Sequence, residues 1–263
     1  MRVLVWNMHA AFGHAASHED AWNYLREQAF DVALLQETRD PADYADWCST
    51  VWRPKHAKAG SRHPLWGSAV IARSADLREP EIDEGFPWLR ELKGSAAVAC
   101  MAEDPVWLAS VHADYRPIAR AKLEELGHDQ VPVSTPNGSV GETDVIPFEL
   151  RCLFGDESFI WGGDLNSAVI MDQNPSFTGG NGKLRGIWKE AGSYDLRLKF
   201  FKEEQPTYFA PGKKRYQLDH VFADEATKEC VTDWNVDVDP VERNPPLSDH
   251  APIIVDIDPP GTG

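Results

Sequence analysis

The chain has 263 residues, of which 42 are acidic and 26 are basic, and its formal net charge is -16. A strong negative charge disfavours sequence-blind adsorption to nucleic acid or to an anionic membrane, although an enzyme can still bind phosphate groups locally. The four cysteines form no C-x-x-C pair, which argues against a structural zinc site and against a dense disulfide framework.

The length suits one α/β or β-sandwich enzyme domain, and we expect a single domain over residues 1–258 with a frayed tail at 259–263. The apolar run at the amino terminus is too short for a signal peptide core and predicts a first strand instead. No apolar stretch is long enough to cross a bilayer. We therefore expect a soluble, cytoplasmic protein with reduced thiols, no membrane insertion and no obligate protein partner.

Apolar runs rich in Val, Ile, Leu and aromatic residues recur along the chain, bounded by Gly, Pro, Asp or Asn, which is typical of strands. They predict strands at residues 3–6, 32–35, 68–72, 96–101, 107–111, 159–161, 218–223, 231–238 and 252–257. Apolar stripes at helical spacing predict helices at residues 17–29, 117–126 and 186–195. The segment 127–147 is rich in Gly, Pro, Ser and Thr and has no periodicity, so we expect a long loop or flap there.

Side chains with oxygen donors follow several of the predicted strands. Asn7 ends the first run, Glu37 follows the second, and Asp164 and Asn166 follow a later one. If these strands run in one orientation, their ends bring the side chains to one rim. Oxygen ligands without a thiolate suit Mg²⁺ or Mn²⁺, and Mg²⁺ commonly keeps substrate phosphate oxygens in its shell. The pattern predicts a metal site for phosphate chemistry, while any one of these residues alone is more often a turn or cap residue.

A histidine and an aspartate in the carboxy-terminal part of the chain could complete this site. Imidazole titrates near neutrality, so His250 can take a proton from water while Asp219 fixes its tautomer. Neighbouring residues of an extended segment point apart, which would place Asp249 toward the metal and His250 toward the phosphorus. The alternative is a surface histidine and an edge-strand acid without a catalytic role.

Six motifs with such residues occur in order along nearly the whole chain: Trp6-Asn7, Gln36-Glu37, Val111-His112, Gly163-Asp164-Leu165-Asn166, Leu218-Asp219-His220 and Ser248-Asp249-His250. The ordered set resembles the endonuclease/exonuclease/phosphatase superfamily. That superfamily includes pancreatic-type deoxyribonucleases, exonuclease III-like abasic endonucleases, inositol polyphosphate 5-phosphatases and neutral sphingomyelinases. The resemblance implies a deoxyribonuclease I-like α/β fold, a four-layer sandwich of two packed mixed β-sheets flanked by helices.

The resemblance also implies a metal side of the site, with Mg²⁺ or Mn²⁺ as cofactor. Glu37 would be the principal metal ligand. Asn7 and Asp249 would complete or support the metal shell.

On the reacting side, the resemblance implies that Asp164 orients or activates the attacking water or assists the leaving oxygen. Asn166 would hold a phosphate oxygen. His250, oriented by Asp219, would act as general base or as a phosphate-stabilising cation. His112 would contact the scissile phosphate or assist proton transfer.

The resemblance leaves the substrate open. A nuclease that hydrolyses phosphodiester bonds in nucleic acid is our first hypothesis. The second is a phosphatase or phosphodiesterase acting on a small-molecule or lipid phosphate of the inositol phosphate, nucleotide or sphingomyelin type, and the third is an inactive binding module. Tyr208 and the triplet Lys213-Lys214-Arg215, which precede Asp219, are candidate substrate-binding residues. The triplet could hold flanking phosphates of a polymer or be a solvated hairpin loop.

Three histidines near the amino terminus form a further candidate cluster: His9, His14 and His18. Their spacing on a predicted loop fits no standard zinc site. We therefore do not predict a zinc site there.

Overall fold

The computed structural model describes residues 1–9, 18–55, 65–92, 94–103, 105–127, 133–174 and 179–258. Within these ranges the chain forms twelve strands: β1 (Arg2–Asn7), β2 (Val32–Thr38), β3 (Ser49–Pro54), β4 (Gly67–Ala72), β5 (Leu77–Arg78), β6 (Ala96–Met101), β7 (Trp107–His112), β8 (Phe159–Asp164), β9 (Tyr194–Asp195), β10 (Asp219–Ala223), β11 (Val231–Val236) and β12 (Ile253–Ile257). The expected tail at 259–263 lies outside the described residues.

The same ranges contain seven α-helices: α1 (His18–Glu27), α2 (Pro87–Glu91), α3 (Arg120–Leu126), α4 (Glu142–Phe154), α5 (Asn181–Glu190), α6 (Glu225–Glu229) and α7 (Asp239–Glu242). Short 3₁₀ turns lie at Pro41–Asp43, Val169–Gln173 and Leu196–Lys199. None of the helices in the described part of the chain is long and apolar enough to cross a membrane.

The strands form two six-stranded sheets, one in the order β11-β12-β1-β2-β4-β3 and the other in the order β5-β6-β7-β8-β10-β9. Each sheet has one parallel pair, β1 with β2 and β7 with β8. Strands β12 and β10 run antiparallel to β1 and β8. The carboxyl ends of the parallel pairs therefore lie at the same ends of their sheets as the amino ends of β12 and β10.

Alternating residues along each strand divide between an inner and an outer core. On β1, Val3 and Val5 join the core between the sheets, whereas Leu4 and Trp6 pack outward with Leu25 of α1. The outer face of the second sheet is covered by side chains of α2, α4 and α5. The predicted four-layer sandwich of two mixed sheets with helices around them is thus confirmed.

The expectation of a loop over residues 127–147 is wrong at its carboxyl end, because α4 begins at Glu142. Pro147 lies inside this helix, and the sequence did not predict a helix there because proline is disfavoured in a helix interior. The helix forms nevertheless because Ile146, Leu150 and Phe154 bury completely against the second sheet. Residues 128–132 of the segment lie outside the described ranges.

Other boundaries also differ from the predictions. Helix α5 begins earlier than expected, at Asn181, and ends at Glu190, while the end of the predicted helix is strand β9. Strands β3, β5 and β9 were not predicted, and the last two have only two residues each. The thiols of all four cysteines are free.

Candidate active site

Residues from both sheets meet at the rim formed by the carboxyl ends of the parallel strands. Asn7 ends β1, Glu37 lies near the end of β2, and Asp164 ends β8. The Asn7 Nδ2 atom donates a hydrogen bond to Asp164 Oδ2 at 3.0 Å and another to Glu37 Oε1 at 3.3 Å. All three side chains are buried. The rim therefore concentrates two acids and an amide where two sheets meet.

Glu37 carries its charge in a buried position. His112, at the end of β7, places Nε2 at 3.3 Å from Glu37 Oε1 and at 3.7 Å from Asp164 Oδ2. Burial opposes ionisation of Glu37, but the nearby His112, His250 and Asn7 hold its pKa at about 2. The two acids raise the pKa of His112 although burial opposes its charge.

One oxygen of this charged group, Glu37 Oε2, is buried and has no hydrogen-bond partner in the described part of the chain. A buried carboxylate oxygen without a partner is costly unless a cation or a donor satisfies it. Ligand atoms of Glu37, His112 and Asp164 all lie within 4.8 Å of one another. The donor set and the unpaired oxygen fit a divalent cation.

His250 interacts with Asp219, Asp164 and Ser248. Its Nδ1 lies 2.8 Å from Asp219 Oδ2, and its Nε2 lies 3.8 Å from Asp164 Oδ2. The His250 backbone N–H donates to Ser248 Oγ at 3.0 Å, and the same hydroxyl donates to the Asn7 carbonyl at 2.8 Å. Burial opposes the charge of the imidazole, yet Asp219, Asp164 and Asp249 raise the pKa of His250 to about 10.

The turn after β8 shapes the position of Asn166. This residue has a left-handed backbone with φ 48°, and its N–H donates to Asp164 Oδ1 at 2.8 Å. Its side-chain amide donates to the Ala113 carbonyl at 3.0 Å. Burial raises the pKa of Asp164. The turn thus places Asn166 next to Asp164, at the edge of the rim.

Gly163 lies directly before this turn, at a position that has no room for a side chain. Its φ is +143°, and a Cβ atom would lie 2.0 Å from the Val111 carbonyl oxygen and 2.8 Å from Gln36 Nε2. The Gln36 side chain points between the sheets and donates to Ser110 Oγ at 2.8 Å. Gln36 therefore connects the two sheets, while Glu37 beside it faces the rim.

His9 lies at the candidate site, although its spacing in the sequence predicted no site there. Its Nδ1 lies 3.0 Å from Asp249 Oδ1, so it reaches the acid expected on the metal side. Its N–H donates to Asn7 Oδ1 at 3.0 Å, which orients the amide toward Glu37. The available signal was its place two residues after Asn7. His18 lies elsewhere and accepts a hydrogen bond from Trp22 Nε1, and His14 falls outside the described residues.

Tyr208 and the basic triplet are placed differently. The Tyr208 ring centroid lies 5.1 Å from that of His250, at the rim. Lys213, Lys214 and Arg215 lie in an exposed turn, where the Arg215 guanidinium packs over the Phe209 ring. The structure therefore brings Tyr208 to the rim and leaves the triplet on the surface beside it.

The two packed sheets form a deoxyribonuclease I-like fold, with acids and histidines at one rim. A sequence model described as the Endonuclease/Exonuclease/phosphatase family matches residues 4–250, which is most of the chain. The chain belongs to this family and is one of its phosphoesterases. No curated protein sequence matches it.

Several solved structures share the fold at low sequence identity. The 3′ phosphatase NExo from Neisseria, bound to product DNA hairpin, has a TM-score of 0.68 at 16% identity, over 98% of this chain and 99% of that one. The 3′-5′ exonuclease NExo from Neisseria meningitidis has a TM-score of 0.67 at 18% identity, over 98% and 100%. An AP endonuclease from Archaeoglobus fulgidus has a TM-score of 0.67 at 15% identity, over 98% and 100%.

Proposed function

We propose that this protein is a Mg²⁺- or Mn²⁺-dependent nuclease that hydrolyses phosphodiester bonds in nucleic acid. The observation that carries the proposal is the single rim where the unpaired oxygen of Glu37, Asp164 and the His250–Asp219 pair converge. The substrate class is supported by the similar structure of NExo, which is bound to a DNA hairpin.

The metal would be held by Glu37 as principal ligand, with Asn7 and Asp249 in support. When bound, a divalent cation supplies positive charge that neutralises phosphate oxygens and orients an in-line displacement. His9 would hold Asp249 in place through its Nδ1 contact.

The reacting groups would divide between proton transfer and phosphate binding. Asp219 accepts from His250 Nδ1, so the other ring nitrogen faces the rim and can donate to a phosphate oxygen. Asp164, 3.8 Å from that nitrogen, would orient the attacking water and take its proton. Asn166 would bind a phosphate oxygen, and His112 would contact the scissile phosphate.

A second candidate is a phosphodiesterase or phosphatase acting on a small phosphorylated molecule. The net charge of -16 favours it, because a strongly acidic surface repels a long polyanion. The exposed cations Lys213, Lys214 and Arg215 beside the rim favour the polymer instead. An inactive binding module is disfavoured because a chemically suitable residue stands at every expected position of the rim.

The deciding experiment is a substrate panel. Supercoiled plasmid, single-stranded DNA and RNA, nucleotides and inositol phosphates are each incubated with Mg²⁺ or Mn²⁺ and, separately, with EDTA. Nicking or degradation that EDTA and His250→Ala both abolish is the result we expect. Phosphate release from the small substrates alone would establish the second candidate, and ligand binding without any turnover would establish the binding module.

A further inference from the structure

A pocket of about 510 Å³ opens directly beside Asn166. Its walls are the segment after β7, the segment leading into α4, and the start of α5. Its floor includes the apolar side chains of Leu165 and Leu184, both buried. Because Asn166 belongs both to this wall and to the proposed phosphate-binding side of the rim, a substrate held at the rim can extend into the pocket.

The pocket is poorly suited to a phosphate group. Among its lining residues that the structure describes, Arg116 is the single cation, and it is paired with Asp114 at 2.8 Å. Asp144 adds a second lining acid. A phosphate would therefore meet more negative than positive charge at close range.

Nearby carboxylates also occupy three backbone donors at the helix starts around the pocket. At the start of α5, the N–H groups of Asn181 and Gly182 donate to Asp172 at 3.0 and 2.9 Å. At the start of α4, the Gly141 N–H donates to Asp144 at 2.8 Å. These backbone donors, which commonly bind phosphates, are already used by carboxylates.

The remaining lining suits a neutral, flat and polar group. Hydroxyl groups of Ser134, Thr143 and Ser167 line the pocket. The Ser167 hydroxyl donates to Asn181 Oδ1 at 2.6 Å and the Ser134 side chain bonds Asp144, so these two hydroxyl oxygens serve the pocket as acceptors. Tyr115 also lines the pocket, and 76% of this residue is exposed to solvent. An exposed aromatic ring next to hydroxyl groups is what a nucleobase and its sugar can use, since bases stack on aromatic faces.

We propose that this pocket binds the nucleoside attached to the scissile phosphate, through its base and sugar rather than through a further phosphate. This inference rests on the proposed nuclease function and deepens it. A polyphosphorylated inositol would need several unpaired cations in the same space, which the described lining does not supply. The pocket thus contributes selectivity for nucleotides beside a rim that binds any phosphodiester.

The test compares two phosphodiesters in the wild type and in Thr143→Phe, a change that fills the pocket. One substrate is a dinucleoside monophosphate, and the other is bis(p-nitrophenyl) phosphate, which has no nucleoside. We expect the ratio of their kcat/KM values to fall about tenfold or more in the variant, since a filled pocket removes the contacts of the base. The matched control Thr232→Phe, on the exposed face of β11, is expected to leave the ratio unchanged.

Replacing one base of the dinucleoside at a time with an abasic sugar gives an independent arm. Loss of one particular base should lower kcat/KM of the wild type about tenfold, and the same loss should have little effect in Thr143→Phe. Equal effects in both proteins, or an unchanged substrate ratio in a folded Thr143→Phe, would overturn the pocket assignment. A preference for p-nitrophenyl phosphorylcholine over the dinucleoside would overturn it in favour of a lipid head group.

A binding measurement separates failure of the pocket from failure of the proposed nuclease. Titration calorimetry in EDTA compares thymidine monophosphate with ribose 5-phosphate, without metal or turnover. We expect about tenfold tighter binding of the nucleotide by the wild type and loss of this difference in Thr143→Phe. If no phosphodiester is hydrolysed, the proposed function fails while this titration still decides the pocket, and equal affinities for the two ligands would refute it.

Discussion

The Nδ1 atom of His250 lies 2.8 Å from Oδ2 of Asp219, and both side chains are buried. Asp219 is the first residue of β10 and pairs with Asp164 of β8. The antiparallel register of the second sheet therefore brings Asp219 to the rim. His250 precedes β12 of the first sheet. The pair therefore depends on the packing of one sheet against the other.

The first prediction concerns this pair. Asp219→Asn should lower kcat by about 10²- to 10⁴-fold, because a neutral amide cannot stabilise the charged imidazole and favours the wrong tautomer. The half-saturating Mg²⁺ concentration should stay close to that of the wild type. Steady-state kinetics at several metal concentrations measure both quantities, and a wild-type kcat would contradict the role of the pair.

Replacing Glu37, the proposed principal metal ligand, should change the metal requirement rather than kcat. Glu37→Gln should raise the metal concentration needed for half-maximal activity by about 10-fold or more, because it removes the charged oxygen ligand of a hard cation. His250→Ala should instead lower turnover at saturating metal. Calorimetric titration of Mn²⁺ into both variants provides a reading without turnover, and unchanged Mn²⁺ affinity in Glu37→Gln would refute its assignment.

Gly163→Ala should strongly destabilise the fold. The new methyl group would lie 2.0 Å from the Val111 carbonyl oxygen at a backbone φ of +143°, and we expect a loss of about 3 kcal/mol or more. Gly186→Ala is the matched control, because a Cβ there meets nothing within 4 Å inside helix α5. That change should stabilise by about 0.5–1 kcal/mol. Urea unfolding of both variants checks the pair, and similar stabilities would contradict the tight sheet contact.

His18 should make the folded state sensitive to acid. Burial, together with Arg39, lowers its pKa from 6.5 to about 4, and its Nε2 accepts from Trp22 Nε1 at 2.9 Å. The unfolded chain therefore binds a proton more readily, so this contribution to stability is complete above pH 6.5 and is lost as the pH falls toward 4. His18→Gln should flatten the pH dependence of the unfolding free energy between these values. An identical pH profile in wild type and variant would exclude this cause.

The basic turn should matter for polymers. Changing Lys213, Lys214 and Arg215 to alanine should reduce kcat/KM on nucleic acid and flatten its dependence on salt, since each phosphate contact contributes about 0.7–0.9 to the logarithmic slope. Hydrolysis of bis(p-nitrophenyl) phosphate should change little. Two single variants provide a charge-matched control, because Lys213→Ala and Arg78→Ala each remove one positive charge. Arg78 lies on edge strand β5, so its loss should leave the salt slope unchanged. An unchanged salt slope in the triple variant would make the turn a solvated loop.

Much of the fold followed from local patterns. The long strands were predictable because each is a run of apolar residues ended by a polar or small residue, as at Trp6-Asn7 and Leu35-Gln36. Helix α4 was missed because Pro147 and the glycines before it obscured the apolar stripe. Two-residue strands such as β9 have no periodicity of their own and form only where a neighbouring strand accepts them.

The chemical groups at the strand ends could be predicted from the chain alone, because strand periodicity and the ordered motifs are local properties. The contacts of those groups depend on the tertiary structure. Gln36 turns inward to Ser110 while Glu37 faces the rim, and His9 reaches Asp249 from the opposite end of the chain. Such contacts arise from the packing of two sheets, where residues distant in sequence share one buried, low-dielectric site that no local pattern encodes.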